Sequence, residues 1–193
     1  MSMSRRVYLA GPDVFLPDAA AALARKKAIC ADYGLEGVSP LDPLPEEPAD
    51  WADFAAWRRI ALTNEAHIRR SAAIIANLTP FRGPSADAGT VYEIGFARAL
   101  GRPVFAYANT AAGFAERTRL ALGLAPDVPR DAAGMLIEAF DLFDNLMIDA
   151  AVAHSGGTLV TVDVPPDARW TDLAAFERCV AAAARLQPNV IQR

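Results

Sequence analysis

Residues 72–78, Ala72-Ala73-Ile74-Ile75-Ala76-Asn77-Leu78, are apolar nearly throughout and run into an irregular loop, Thr79-Pro80-Phe81-Arg82-Gly83-Pro84-Ser85-Ala86-Asp87-Ala88-Gly89. An apolar run of this kind fits a central parallel strand covered on both faces. The loop leads into a helical stretch from about Thr90 to Leu100, closed by Gly101, and then into a second strand-like run over 103–107. Strand, loop, helix and strand in that order are the repeating unit of a parallel α/β sheet.

Working outward toward the N-terminus, Val7-Tyr8-Leu9-Ala10 is a strand stopped by Gly11-Pro12, and Asp18 offers a cap for an alanine-rich helix through about Tyr33, ended by Gly34. A brief strand around Gly37-Val38-Ser39 precedes 41–48, whose three prolines forbid helix and central strand and predict a flap. Asp50 then offers a cap for a helix to roughly Arg70, with Trp51, Phe54, Trp57, Ile60, Leu62 and Ile68 as its buried stripe. Toward the C-terminus the pattern predicts a helix over 114–122, an irregular connection, a helix from about Ala132 that runs on or breaks before Ala153, a strand over 158–162 and a helix over 171–186. Five short strands with intervening helices predict one α/β domain over 1–193, a flavodoxin-like doubly wound parallel sheet of order 2-1-3-4-5.

Composition narrows the function. The chain of 193 residues carries a formal charge of -4, with 53% apolar and 22% charged residues, which suits a single globular domain. No Lys/Arg stripe is present, which argues against nucleic acid or an anionic membrane and for a small-molecule partner. No apolar run approaches the roughly 18–20 residues needed to cross a bilayer, and none of signal-peptide length precedes the first strand, so a cytoplasmic location is expected. Cys30 and Cys179 form neither a disulfide framework nor a zinc motif and are expected to fill apolar space. His67 and His154 have no neighbours at ligand spacing and are expected at the surface or at helix ends; no metal is expected. The glycine signatures of dinucleotide and nucleoside triphosphate sites are absent.

Ligands of such sheets bind beyond the carboxyl ends of the strands where the winding reverses, here between the first and third strands. Gly11-Pro12-Asp13-Val14-Phe15 and residues 79–89 should therefore face one another, with Gly11 and Gly89 allowing close approach of backbone to ligand. Asp87 and Glu93 both reach that crevice. Glu93 has two readings: a nucleophile, kept ionised by a helix N-terminus worth roughly 0.3–1 kcal/mol, or the partner in a Thr90-x-x-Glu93 capping box. Tyr8 is either plain core or a buried phenol that finds Glu93 across the switch point.

Five segments in register resemble the nucleoside 2-deoxyribosyltransferase family: Tyr8-Leu9-Ala10-Gly11-Pro12, Ile74-Ile75-Ala76-Asn77-Leu78, Asp87-Ala88-Gly89-Thr90-Val91-Tyr92-Glu93-Ile94-Gly95-Phe96-Ala97, Ala99-Leu100-Gly101-Arg102-Pro103-Val104 and Asp144-Asn145-Leu146-Met147-Ile148. The resemblance covers about 7–150 and implies double-displacement transfer of a 2-deoxyribosyl group between bases, without a cofactor. It implies Glu93 as nucleophile, Asp87 as the carboxyl group that contacts the base and passes a proton, and Tyr8 as the phenol that orients the nucleophile. It implies that Asn145 reaches from a neighbouring subunit to the 5′-hydroxyl, and therefore a homo-oligomer with shared sites; read by itself, Asn145 is a helix cap. Phe15 and Trp57 either offer apolar faces to the base or simply pack. Glu65 stands where some members have an Asp that contacts the base, and Pro188-Asn189-Val190-Ile191-Gln192-Arg193 lacks the terminal aromatic that some members fold over the site. Relatives that hydrolyse deoxynucleoside 5′-monophosphates are the alternative, with Ser85 and Thr90 as phosphate contacts; a non-catalytic nucleotide-binding module is the alternative of a different class.

Overall fold

The computed structural model describes residues 5–186. Five strands, β1 (Arg5–Ala10), β2 (Leu35–Val38), β3 (Ala73–Asn77), β4 (Val104–Ala108) and β5 (Leu159–Thr161), form one parallel sheet of order β2-β1-β3-β4-β5. Six helices connect and cover them: α1 (Ala19–Asp32), α2 (Ala56–Arg69), α3 (Ala88–Ala99), α4 (Phe114–Ala121), α5 (Leu146–Ala153) and α6 (Ala174–Ala184). The flavodoxin-like order expected from the alternation is the order found.

Side chains alternate across the sheet with the period of two that a pleat imposes. Tyr8, Ile74 and Val104 face α2, α3 and α5, where they pack with Ile68, Ile94 and Ile148. Val7, Leu9, Ile75 and Phe105 face α1 and α6, where they pack with Cys30, Phe176 and Cys179. Both cysteines are free and buried, and burial pushes each thiol up to about 12, so they serve as packing. The C-terminal segment 188–193 lies outside the described residues.

Two expectations need correction. The helix expected from Asp50 starts only at Ala56, after a short 3-10 turn over Ala49–Trp51, and its cap position, Ala55, offers no side-chain acceptor. Its apolar stripe is buried only at the end that reaches the sheet: Ile68 is buried, whereas Trp57 and Ile60 are 73% and 58% exposed. The first turns of α2 stand at the carboxyl edge of the sheet and line cavities there instead of packing on strands. The helix expected from Ala132 does not form. Asp131 Oδ1 accepts from the amides of Ala133 and Met135, Gly134 takes a left-handed φ of 83°, and this local turn displaces the helical ladder until Asn145 caps α5.

Candidate active site

The crevice beyond β1 and β3 holds a buried carboxylate. Glu93, in the second turn of α3, is 8% exposed; the Tyr8 hydroxyl from β1 donates to its Oε1 at 2.7 Å, and Asn64 Nδ2 from α2 donates to the same oxygen at 3.3 Å. Burial is the largest influence on its pKa and raises it; the Tyr8 hydrogen bond opposes, the nearby Asp87 charge adds, and the pKa of Glu93 ends at about 7. The Tyr8 phenol is raised well above its usual range, first by burial and then by the Glu93 charge, so it stays a donor.

The expectation that a helix end keeps Glu93 ionised is corrected here. α3 begins at Ala88, capped by Asp87, whose Oδ2 accepts from the Thr90 amide at 3.0 Å and its hydroxyl at 3.2 Å. Glu93 therefore lies past the first turn, where the helix dipole has faded and desolvation decides. The capping-box reading fails on the same fact. Asp87 is the N-cap, and the hydrogen-bond partners of Glu93 are Tyr8 and Asn64.

Two cavities meet at Glu93 and share Ile60, Asn64 and Gly89. One, of about 320 Å³, is lined by Gly11, Val14, Phe15, Leu41 and Asp87. The other, of about 260 Å³, is lined by Trp57, Glu65, Ile68 and Tyr92, with the Tyr92 hydroxyl donating to Glu65 at 2.5 Å. Phe15 is held flat as a wall: its ring stacks on Phe81 at 5.3 Å, Phe81 meets Trp170 edge-on at 6.0 Å, and the Arg82 guanidinium covers both phenylalanines. The arrangement suits a planar, largely apolar ligand that places one atom against Glu93. Among the described residues no three His, Cys, Asp or Glu side chains converge as a metal ion needs.

Comparison with known proteins gives the family and the fold. Residues 7–147 match the family model for nucleoside 2-deoxyribosyltransferase. The chain belongs to that family. An uncharacterised protein of Schizosaccharomyces pombe is 33% identical over 174 residues, covering 81% of each chain. Among solved structures, a 2-desoxiribosyltransferase from Leishmania mexicana is 28% identical with a TM-score of 0.60, covering 91% of this chain and 97% of that one. A conserved protein from Enterococcus faecalis V583, 20% identical with a TM-score of 0.52 over 92% and 97% of the two chains, shares the fold.

Within this family member, Tyr8, Asp87, Gly11, Gly89, Phe15, Trp57 and Glu65 line the two cavities or touch Glu93. Asn145 does not. It lines another cavity, about 640 Å³ between α3 and α5, together with Met147, Ile94 and Arg98. Its Oδ1 accepts from the Met147 amide at 3.1 Å and its Nδ2 donates to Glu138 at 2.8 Å, which is the cap arrangement. No carboxylate lines that cavity.

Several residues that support the site escaped the sequence reading. Asn64 is one, a mid-helix amide with no motif around it. His67 was expected at the surface or at a helix end; it does lie in the last turn of α2 but is 1% exposed, its ring stacked on Tyr8 and its Nε2 2.9 Å from the Asp42 carbonyl oxygen of the flap. Packing of that turn onto the sheet explains the burial. Asp144, fully buried, accepts from the Ser85 hydroxyl at 2.5 Å, the Ala86 amide at 3.0 Å and Arg117 at 3.3 Å, and so fixes the loop that delivers Asp87. Among the described residues no helix is long and apolar enough to cross a membrane.

Proposed function

We propose that the chain is a cytoplasmic nucleoside deoxyribosyltransferase of nucleoside salvage, moving the 2-deoxyribosyl group of a 2′-deoxynucleoside to an acceptor purine or pyrimidine. The observation that carries this reading is a buried carboxylate at about 7, aimed by a tyrosine donor into cavities that a second carboxylate, Asp87, also lines. Ionised Glu93 attacks C1′, the C1′–N bond breaks, and its electron pair leaves with the base, which takes a proton from Asp87. The sugar remains as an ester of Glu93 until the nitrogen of a second base attacks C1′, passing its proton to Asp87, and Glu93 departs as carboxylate. Glycosidic cleavage passes through a cation-like state that a close carboxylate captures, as in retaining glycosidases. A 2-deoxy sugar, lacking an electron-withdrawing hydroxyl, forms that cation readily.

Incubating the protein with a deoxynucleoside and a second free base tests the reading. Appearance of the exchanged nucleoside supports it; release of base without exchange assigns a hydrolase instead, and binding with neither assigns a non-catalytic module.

The sites are proposed to be shared within a homo-oligomer of at least two chains. The apolar run expected at the interface divides: Phe143 and Ile148 are buried in their own core, while Phe140 and Met147 are 65% and 70% exposed and Leu146 is partly so. Those exposed side chains are the part a second copy would cover. Asn145 Nδ2 gives one hydrogen to Glu138, and its second is the donor a neighbour's 5′-hydroxyl would take.

A further inference from the structure

The turn after β1, one wall of the cavity before Glu93, is tied down from behind. Asp13, in the 3-10 turn Pro12–Phe15, places Oδ1 at 2.5 Å from Nζ of Lys26 on α1 and accepts with Oδ2 from Asn77 Nδ2, at the end of β3, at 3.3 Å. Lys26 also donates to the Tyr107 hydroxyl at 2.5 Å and lies 5.4 Å from the centre of the Phe176 ring. Both charged side chains keep only 5% exposure. Asn77 Oδ1 accepts in turn from the Thr79 amide at 3.0 Å. The packing is close: a Cβ on Gly11 would sit 2.6 Å from Asp13 Oδ2 and 2.8 Å from the Asn77 Cβ.

One carboxylate therefore joins the loops on either side of the switch point. Well-packed apolar residues commonly equal or exceed a buried ion pair in stability, so stability gives little reason for a lysine in this place. What the cation permits is an anion at Asp13 that can bridge the β1 turn to β3. We propose that Lys26 is a positioning residue of this site: by balancing Asp13 it holds the Gly11–Phe15 turn against β3, so that Val14 and Phe15 stand as the wall that seats the substrate against Glu93. The proposal rests on the reading of that cavity as a nucleoside site.

Lys26→Met is the test, with amide hydrogen exchange and steady-state kinetics measured on the same preparation. Faster exchange at residues 13–16 is expected, together with a rise of about tenfold in KM for the deoxynucleoside and a change in kcat below about threefold, because the wall and not the nucleophile is loosened. Since Lys26 acts through Phe15, adding Lys26→Met to Phe15→Ala should raise KM little further. Unchanged exchange over 13–16, an unchanged KM, or effects of the two substitutions that multiply would overturn the proposal. If Lys26→Met does not fold, Tyr107→Phe removes one partner of Nζ without stranding a charge. The same pattern at about two- to threefold supports the proposal and its absence overturns it. A wild-type protein that neither exchanges nor releases any base sinks the nucleoside reading instead, while the amide exchange still decides whether Lys26 holds the turn.

Discussion

The sheet carries a buried tyrosine and a buried carboxylate on each of its faces, and the two clusters behave differently. On the α1 and α6 face, Asp13 lies against Lys26, which also bonds Tyr107. On the α2 and α3 face, Glu93 has a tyrosine and an amide for company but no cation among its hydrogen-bond partners. A buried charge must be paired or partly neutralised. The first cluster is paired and serves architecture. The second is left at about 7, half protonated near neutrality, and is the one that opens onto cavities. The proposed chemistry uses the carboxylate from which a counter-charge is withheld.

The sharpest way to break the contrast is Glu93→Gln, which removes the unpaired carboxylate while keeping its size. Exchange should fall by about 10⁴-fold or more, as when a nucleophile is lost, and a nucleoside fluorinated at C2′ should label Glu93, but not Gln, by mass spectrometry. Retention of most turnover would mean that Glu93 is not the nucleophile.

The paired cluster should fail through stability instead. Lys26→Met strands Asp13 and should cost about 3–5 kcal/mol in denaturant titration. Adding Asp13→Asn should recover part of it, because the stranded charge is gone. A loss below about 1 kcal/mol would contradict the pairing described here.

The unpaired cluster makes the opposite demand on stability. An unfolded glutamate titrates near 4.5 and folded Glu93 near 7, so between those values the folded protein binds the additional proton. Its contribution is present in full below 4.5 and is lost as pH rises through about 7, a fall of about 3 kcal/mol. Glu93→Gln lacks that titration. Its melting temperature should exceed that of the wild type above pH 7, and the gap should close toward pH 4.5; a gap independent of pH would refute the raised pKa.

Smaller effects should come from the groups around Glu93. Asp87→Asn should slow natural purine deoxynucleosides about tenfold to a hundredfold more than substrates whose base leaves well without a proton, since acid help matters only for poor leaving groups. Equal losses would leave Asp87 as a binding contact and helix cap. Tyr8→Phe removes the hydrogen bond that favours ionised Glu93, so the acid limb of the kcat/KM profile should move to higher pH, with a loss of about tenfold below neutrality. A limb that stays in place would show that the hydroxyl orients Glu93 without tuning it.

Strand order, the facing of the two loops and the meeting of Tyr8 with Glu93 were legible in the sequence, because apolar strands at this spacing leave few topologies and a buried phenol must find an acceptor. Boundaries were less so. A shift of the α3 cap from Thr90 to Asp87, three residues earlier, turns Glu93 from a cap partner into an interior carboxylate, and the Asp87 to Thr90 bond marks that start. Asn64, His67 and Lys26 were illegible for a shared reason: each is a polar side chain on an unremarkable helix, buried by what folds over it from elsewhere in the chain. Burial of that kind is a tertiary fact with no local signature.

The pairing of β1 with β3, Tyr8 opposite Ile74 and Ala10 opposite Ala76, has a consequence for how the fold finds itself. Val7, Tyr8, Leu9 and Ala10 are apolar and buried on both faces, so hydrophobicity alone would accept the strand shifted by one residue. Such a slip would turn the phenol toward α1 and α6 and carry Asp13 out of line with Lys26. The two polar clusters thus act as alignment pins, one on each side of the ribbon, and only the register that seats both gives Asp13 its lysine and Glu93 its phenol.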